Sequence, residues 1–188
     1  LDITMKNGND TKFHGSGGVG LLSSRLTLEM PIKKGKGSIL IAGRRTYIDQ
    51  ALKLVGTELP YYFYDLNVKA NYQITDKDRI FYSLYYGKDV LSFAEEGNDD
   101  SDTTGGSGSA LDFGFELGNW TNTIRWNHIY NPKLFSNVSL INTNFNYEIY
   151  GNVANNRIVI SSNVVDFGGK IDFDYFKSPE QKLKFGAA

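Results

Sequence analysis

Between Tyr62 and Ile74, apolar and hydrophilic side chains alternate over thirteen residues. Tyr62, Tyr64, Leu66, Val68, Ala70, Tyr72 and Ile74 fall in one phase; Asp65, Asn67, Lys69, Asn71 and Gln73 fall in the other. A period of two places these sets on opposite faces of a β-strand. Globular strands average about 5–6 residues, whereas a tilted strand needs about 9–11 to cross a bilayer. Length and alternation together predict a wall with one lipid-facing and one water-facing surface.

The pattern recurs along the chain. Leu26, Leu28 and Met30 oppose Arg25, Thr27 and Glu29. Ile80, Tyr82, Leu84 and Tyr86 oppose Arg79, Ser83 and Gly87, with Phe81 and Tyr85 as exceptions. Ile141, Phe145, Tyr147 and Ile149 oppose Asn142, Asn144, Asn146 and Glu148. Val165, Phe167, Ile171, Phe173 and Tyr175 oppose Asp166, Lys170, Asp172 and Asp174, and Leu183, Phe185 and Ala187 oppose Lys182 and Lys184. Trp126, Tyr130, Tyr147 and Tyr175 end apolar faces, as the aromatic girdles of a barrel require.

Connections alternate between tight and mostly longer ones. Lys33–Gly37, Asp76–Asp78, Asn131–Lys133 and Ser178–Glu180 are tight; Asp49–Pro60, Leu91–Ser109 and Gly151–Asn156 lie between them. This asymmetry fits an outer-membrane barrel, with short turns on one rim and longer loops on the other. With a hairpin at Leu21–Ser23, the chain reads as eight strands and the start of a ninth at Lys182. The fold class expected is all-β: an antiparallel transmembrane β-barrel segment of about eight to nine strands. Two stretches fit less simply. Ser38–Ile48 carries apolar residues in both phases, which leaves the directions of Arg44 and Arg45 open, and Leu111–Tyr130 changes phase near Gly118-Asn119, as a bulge or strand boundary would.

Composition agrees. Twelve Tyr, twelve Phe and twenty Gly stand beside four Pro, and cysteine is absent, which excludes disulfide frameworks, thiolate metal sites and cysteine nucleophiles. Twenty basic against twenty-one acidic residues give no nucleic-acid signature. No stretch suits a transmembrane helix, and negative mean hydropathy is expected of strands that show lipid only every second residue. Leu1-Asp2-Ile3 does not resemble a signal peptide, so the N-terminus is expected to be processed, truncated or internal.

In this order, LDITMKNGND, FHGSGGVGLLSSRLTLEMPI, IAGRRTYID, YYFYDLNVKANYQITDKDRIFYSLYYGKD and NTIRWNHIYNPKLFSNVSLINTNFNYEI resemble the TonB-dependent outer-membrane receptors of the Bacteroidetes, SusC-like type. The resemblance covers nearly the whole chain apart from the loop at 95–109; Met30 departs from the glycine expected before the proline. It implies that residues 1–10 are the end of a plug domain and residues 11–188 the N-terminal part of a larger barrel, in the 22-stranded plugged class. The ending at Phe185-Gly186-Ala187-Ala188, inside an alternating strand and without a terminal aromatic residue, gives the same expectation of further strands. The implied function is energised import of a siderophore, glycan or peptide across the outer membrane of a Gram-negative bacterium. Outer-membrane lipid, the rest of the barrel and plug, a TonB complex and a surface lipoprotein are the implied partners. Neither enzyme activity nor a cofactor is expected. Two other readings stand beside this one: a self-contained eight-stranded barrel for adhesion or structure, and a soluble β-sandwich binding carbohydrate.

Isolated motifs add little chemistry. Gly15, Gly17 and Gly20 spell a G-x-G-x-x-G, but no buried strand precedes it and no helix follows, so strand glycines explain it better. The acidic run Glu95, Glu96, Asp99, Asp100 and Asp102 lacks EF-hand spacing and reads as a solvated loop rather than a calcium site. His14 and His128 lie far apart, against a histidine metal centre or charge relay. The sequons at Asn9, Asn119 and Asn137 read as accidents of an Asn-rich chain. Asp166, Asp172 and Asp174 share a face with Lys170, a hydrated wall rather than a hydrolytic pair. Arg44 and Arg45 are the candidate site residues: one of the two can face the lumen, touching plug carboxylates or an anionic solute, or serve as wall or girdle charge.

Overall fold

The computed structural model describes residues 6–53, 56, 60–94, 112–153, 156–178 and 180–188. They form one antiparallel sheet of nine strands, each paired with its neighbours in sequence. The order is β1 (His14–Val19), β2 (Ser23–Lys33), β3 (Gly37–Thr46), β4 (Tyr61–Gln73), β5 (Asp78–Ala94), β6 (Asp112–Asn131), β7 (Leu134–Val153), β8 (Asn156–Ser178) and β9 (Gln181–Ala187). The sheet is open, with β1 and β9 as its edges, and no second sheet packs on it among the described residues. The sandwich reading required two sheets face to face, and this architecture does not provide them.

The tight turns lie where the sequence placed them. Gly35 takes φ 70° between β2 and β3, a left-handed conformation that suits glycine. Between β4 and β5, the Asp78 carboxylate accepts from Thr75 Oγ1 at 2.6 Å and from Trp126 Nε1 at 3.0 Å. The ladder is irregular at Pro31/Lys33, Ile129/Asn131 and Phe176/Ser178, all beside this row of turns. At the other rim, Ile48–Lys53 forms a short helix (α1) within the stretch expected to be loop. Thr46 Oγ1 extends the β3–β4 ladder by accepting from the Phe63 amide at 2.9 Å. The acidic run at 95–102 lies outside the described residues.

The expected bulge at Gly118-Asn119 is absent. β6 runs unbroken through it, with Gly118 opposite Asn146 and Asn119 opposite Phe145. What changes there is polarity. On one face, rows such as Ala70, Tyr82, Ile124 and Leu140 give way toward the loop rim to Lys88, Glu116, Asn144, Asn146 and Glu148. On the opposite face, Asn71, Arg125, Asn137 and Ser139 give way to Leu91, Phe115, Leu117, Phe145, Tyr147 and Ile149. The two faces exchange character while the hydrogen-bond register continues. Tyr147 therefore lies on the face opposite Trp126 and Tyr175, which corrects its place among the girdle aromatics.

The apolar side chains have little to pack against. Leu40 and Val90 are the buried hydrophobic residues among those described, whereas Ile124, Leu140 and Phe167 remain 50%, 61% and 78% exposed. A sheet must cover its apolar face with another layer or with lipid.

Candidate functional site

Strand pairing settles the two arginines. Arg44 stands opposite Asp65 in the row that continues to Gly87 and Asn119, on the face carrying Lys69. Arg45 stands opposite Tyr64, on the face carrying Leu84. Of the two, Arg44 is thus the one on the face that is polar near the turns.

Arg44 is strongly held. Its Nε donates to Asp65 Oδ2 at 2.8 Å and its Nη2 reaches the same oxygen at 2.6 Å. The guanidinium lies 4.8 Å from the Phe63 ring centroid, which adds a cation–π contact. Arg25 stands directly opposite Arg44, so Asp65 also relieves a like-charge pair. A cavity of about 620 Å³ opens beside Arg25, Arg44 and Asp65. Arg45 lies 5.5 Å from the Tyr62 ring on the other face, in a row with Ser24 and Lys88 at the loopward border of the apolar zone. The contact is a cation–π pair between a guanidinium and a phenol ring.

The chain preceding β1 lies across the same face as Arg44. Lys6 Nζ pairs with Glu29 at 2.7 Å, and Gly8 passes so close to the Ile39 carbonyl that a β-carbon would collide with it. Leu40, Glu29 and Ser38 are buried in this region, and Asn71 Nδ2 donates to Ser38 Oγ at 2.8 Å. This cover explains why β3 carries apolar residues in both phases: Ile39 and Ile41 belong to the Leu84 face, while Leu40 is buried on the other.

The acidic residues of β8 are not brought together as a hydrolytic pair. Asp172 is bound by Lys170 at 3.1 Å, and Asp174 by Lys182 at 2.7 Å and Lys184 at 3.7 Å. Among the described residues no group of His, Asp and Glu is arranged to hold a metal ion. His128 sits at the turn rim on the Leu84 face, its Nδ1 2.6 Å from Asp78 and its ring edge-on to Tyr130. His14 is opposite Glu29, on the other face.

Single-strand patterns could not reveal which residues the sheet gathers from distant segments. Lys69, Arg125 and Lys170 line one cavity from three separate strands, and their strands touch only through the pairing of β4 to β8. Phe81 gave the available hint, as an aromatic in the polar phase; its ring carries Arg125 at 4.5 Å.

No family model matches the chain, and no curated protein matches it.

Proposed function

We propose that this chain is part of the wall of an outer-membrane β-barrel, in a TonB-dependent receptor that imports a nutrient. The carrying observation is the exchange of polarity along strands that keep one register. β6 and β7 have 20 residues each, which at about 3.4 Å per residue is roughly 68 Å, about twice what a tilted crossing requires. A strand that long leaves the bilayer before it ends. Its turnward half then shows apolar side chains to lipid, and its loopward half shows Asn, Glu and Lys to water.

Aromatics flank the apolar zone in the expected way. Trp126, Tyr130 and Tyr175 lie on its turn side, with Tyr130 stacked on Phe173; Tyr64, Tyr86 and Trp120 lie on its loop side. On this reading the Leu84 face meets lipid and the Lys69 face lines the lumen, where residues 6–10 belong to the end of the plug. Both edges, β1 and β9, pair with further strands of the same barrel, because hydrocarbon tolerates no open ladder. The resemblance supplies the coupling to TonB and the import of a siderophore, glycan or peptide; the barrel contributes wall and scaffold.

Fractionation of cells expressing the protein tests the proposal. It should appear in the detergent-extracted outer membrane, migrate with heat-dependent mobility on electrophoresis, and support uptake that stops when TonB is deleted. Detergent-free solubility would contradict the membrane wall, and uptake unaffected by TonB loss would contradict the receptor.

A further inference from the structure

The turnward half of the Lys69 face carries cations that the Arg44–Asp65 pair does not explain. Lys69 of β4, Arg125 of β6 and Lys170 of β8 line a cavity of about 480 Å³. Phe81, Arg125, Ser139 and Lys170 follow one another in a single cross-strand row, and Lys69 stands in the next row with Ser83 and Thr123. Asp172 is the one acid among the lining residues described, and Lys170 already holds it at 3.1 Å. Lys170 thus has its counter-charge, and Arg125 is the cation of this lining for which the cavity supplies none.

Arg125 is the telling member. Among the described residues, its guanidinium contacts the Phe81 ring at 4.5 Å from the centroid and makes no hydrogen bond or ion pair. Stacking fixes the plane of the fork while leaving its N–H groups to point elsewhere. Such a fork matches the paired oxygens of a carboxylate or phosphate. Hydroxyls of Ser83, Thr123 and Ser139 line the same space and can satisfy further oxygens. The volume falls in the range of small-molecule sites, about 300–1,000 Å³.

We infer that this cavity is an oxyanion site for a small carboxylate- or phosphate-bearing solute, gripped by Arg125 and flanked by Lys69 and Lys170. Phe81 breaks the alternation of β5 because it is the platform for Arg125. The inference rests on the Lys69 face lining a water-filled lumen, since an anion reaches the cavity only from water.

Calorimetric titration of the protein carrying this chain, in detergent at low salt, tests the site with inorganic phosphate and, separately, with citrate. Saturable binding of at least one probe is expected, and comparison of the two tells phosphate from carboxylate chemistry. Arg125→Gln should weaken it at least tenfold, Arg125→Lys and Lys170→Gln by less, and Lys34→Gln at an exposed turn should leave it unchanged. Absence of saturable binding to both probes, or binding that survives Arg125→Gln unweakened, overturns the site. Heat-dependent mobility of the same samples judges the wall reading separately: its loss with binding intact condemns the lumen, and its retention without binding condemns the site alone.

Discussion

Asp65 illustrates how one side chain can hold several others in place. Its carboxylate binds Arg44 twice through one oxygen, while Arg25 faces Arg44 across the ladder. Asp65→Asn removes the counter-charge and leaves the two arginines opposed; exposed pairs contribute about 0.2–1 kcal/mol, and the opposed pair brings the expected loss to about 1 kcal/mol. The urea midpoint of the protein in detergent should fall accordingly, and by more than for Arg44→Lys. Asp78 at the turn rim gives a pH signature. The Thr75 hydroxyl, and after it the His128 ring, hold its carboxyl below the ordinary carboxylate range. A depressed folded pKa adds stability that is present above the unfolded value and is lost as pH falls through the folded one. Curves of unfolding free energy against pH should therefore lie apart near neutrality, wild type being more stable than Thr75→Ala, and converge as pH falls through the carboxylate range. Coincident curves throughout would remove Asp78 from the account.

At the scale of elements, much was legible because alternation is local. The thirteen residues of β4, the tight turns and the number of strands follow from period two and turn chemistry. What escaped needed knowledge of the surroundings. β3 hid its phase because Lys6–Phe13 buries Leu40, so both of its sides carry apolar residues for different reasons. The phase change in β6 suggested a bulge because an extra residue and a change of solvent leave the same mark in sequence. Pairing distinguishes them: Gly118 meets Asn146 in unbroken register. The cavity cluster was invisible, since Lys69, Arg125 and Lys170 are adjacent only after four strand pairings. Two substitutions test the elements. Gly35→Ala forces a β-carbon into the left-handed region and should cost about 1 kcal/mol in unfolding free energy, read from the denaturant midpoint. Leu140→Arg should cost about 2–4 kcal/mol if it faces mid-bilayer, whereas Asn146→Arg on the same face should cost about 0–1.

For the whole molecule, the question is what covers a single sheet that is apolar on both faces in different halves. One face offers Ile124, Leu140 and Phe167 near the turns; the other offers Phe93, Phe113 and Ile158 near the loops. Lipid against the first and the protein's own lumen contents against the second satisfy both. The account therefore turns on where water stops along one strand. The chain has no cysteine, so single cysteines placed in it report cleanly once any elsewhere in the protein are replaced. Val138, Leu140, Asn144, Asn146 and Glu148 of β7 all lie on one face. Replaced one at a time and exposed in intact outer membranes to a charged, water-soluble maleimide, positions 138 and 140 should resist labelling while 144, 146 and 148 react quickly. Equal labelling along the series, or reaction at 140 as fast as at 146, would contradict a wall that leaves the membrane partway along its strands.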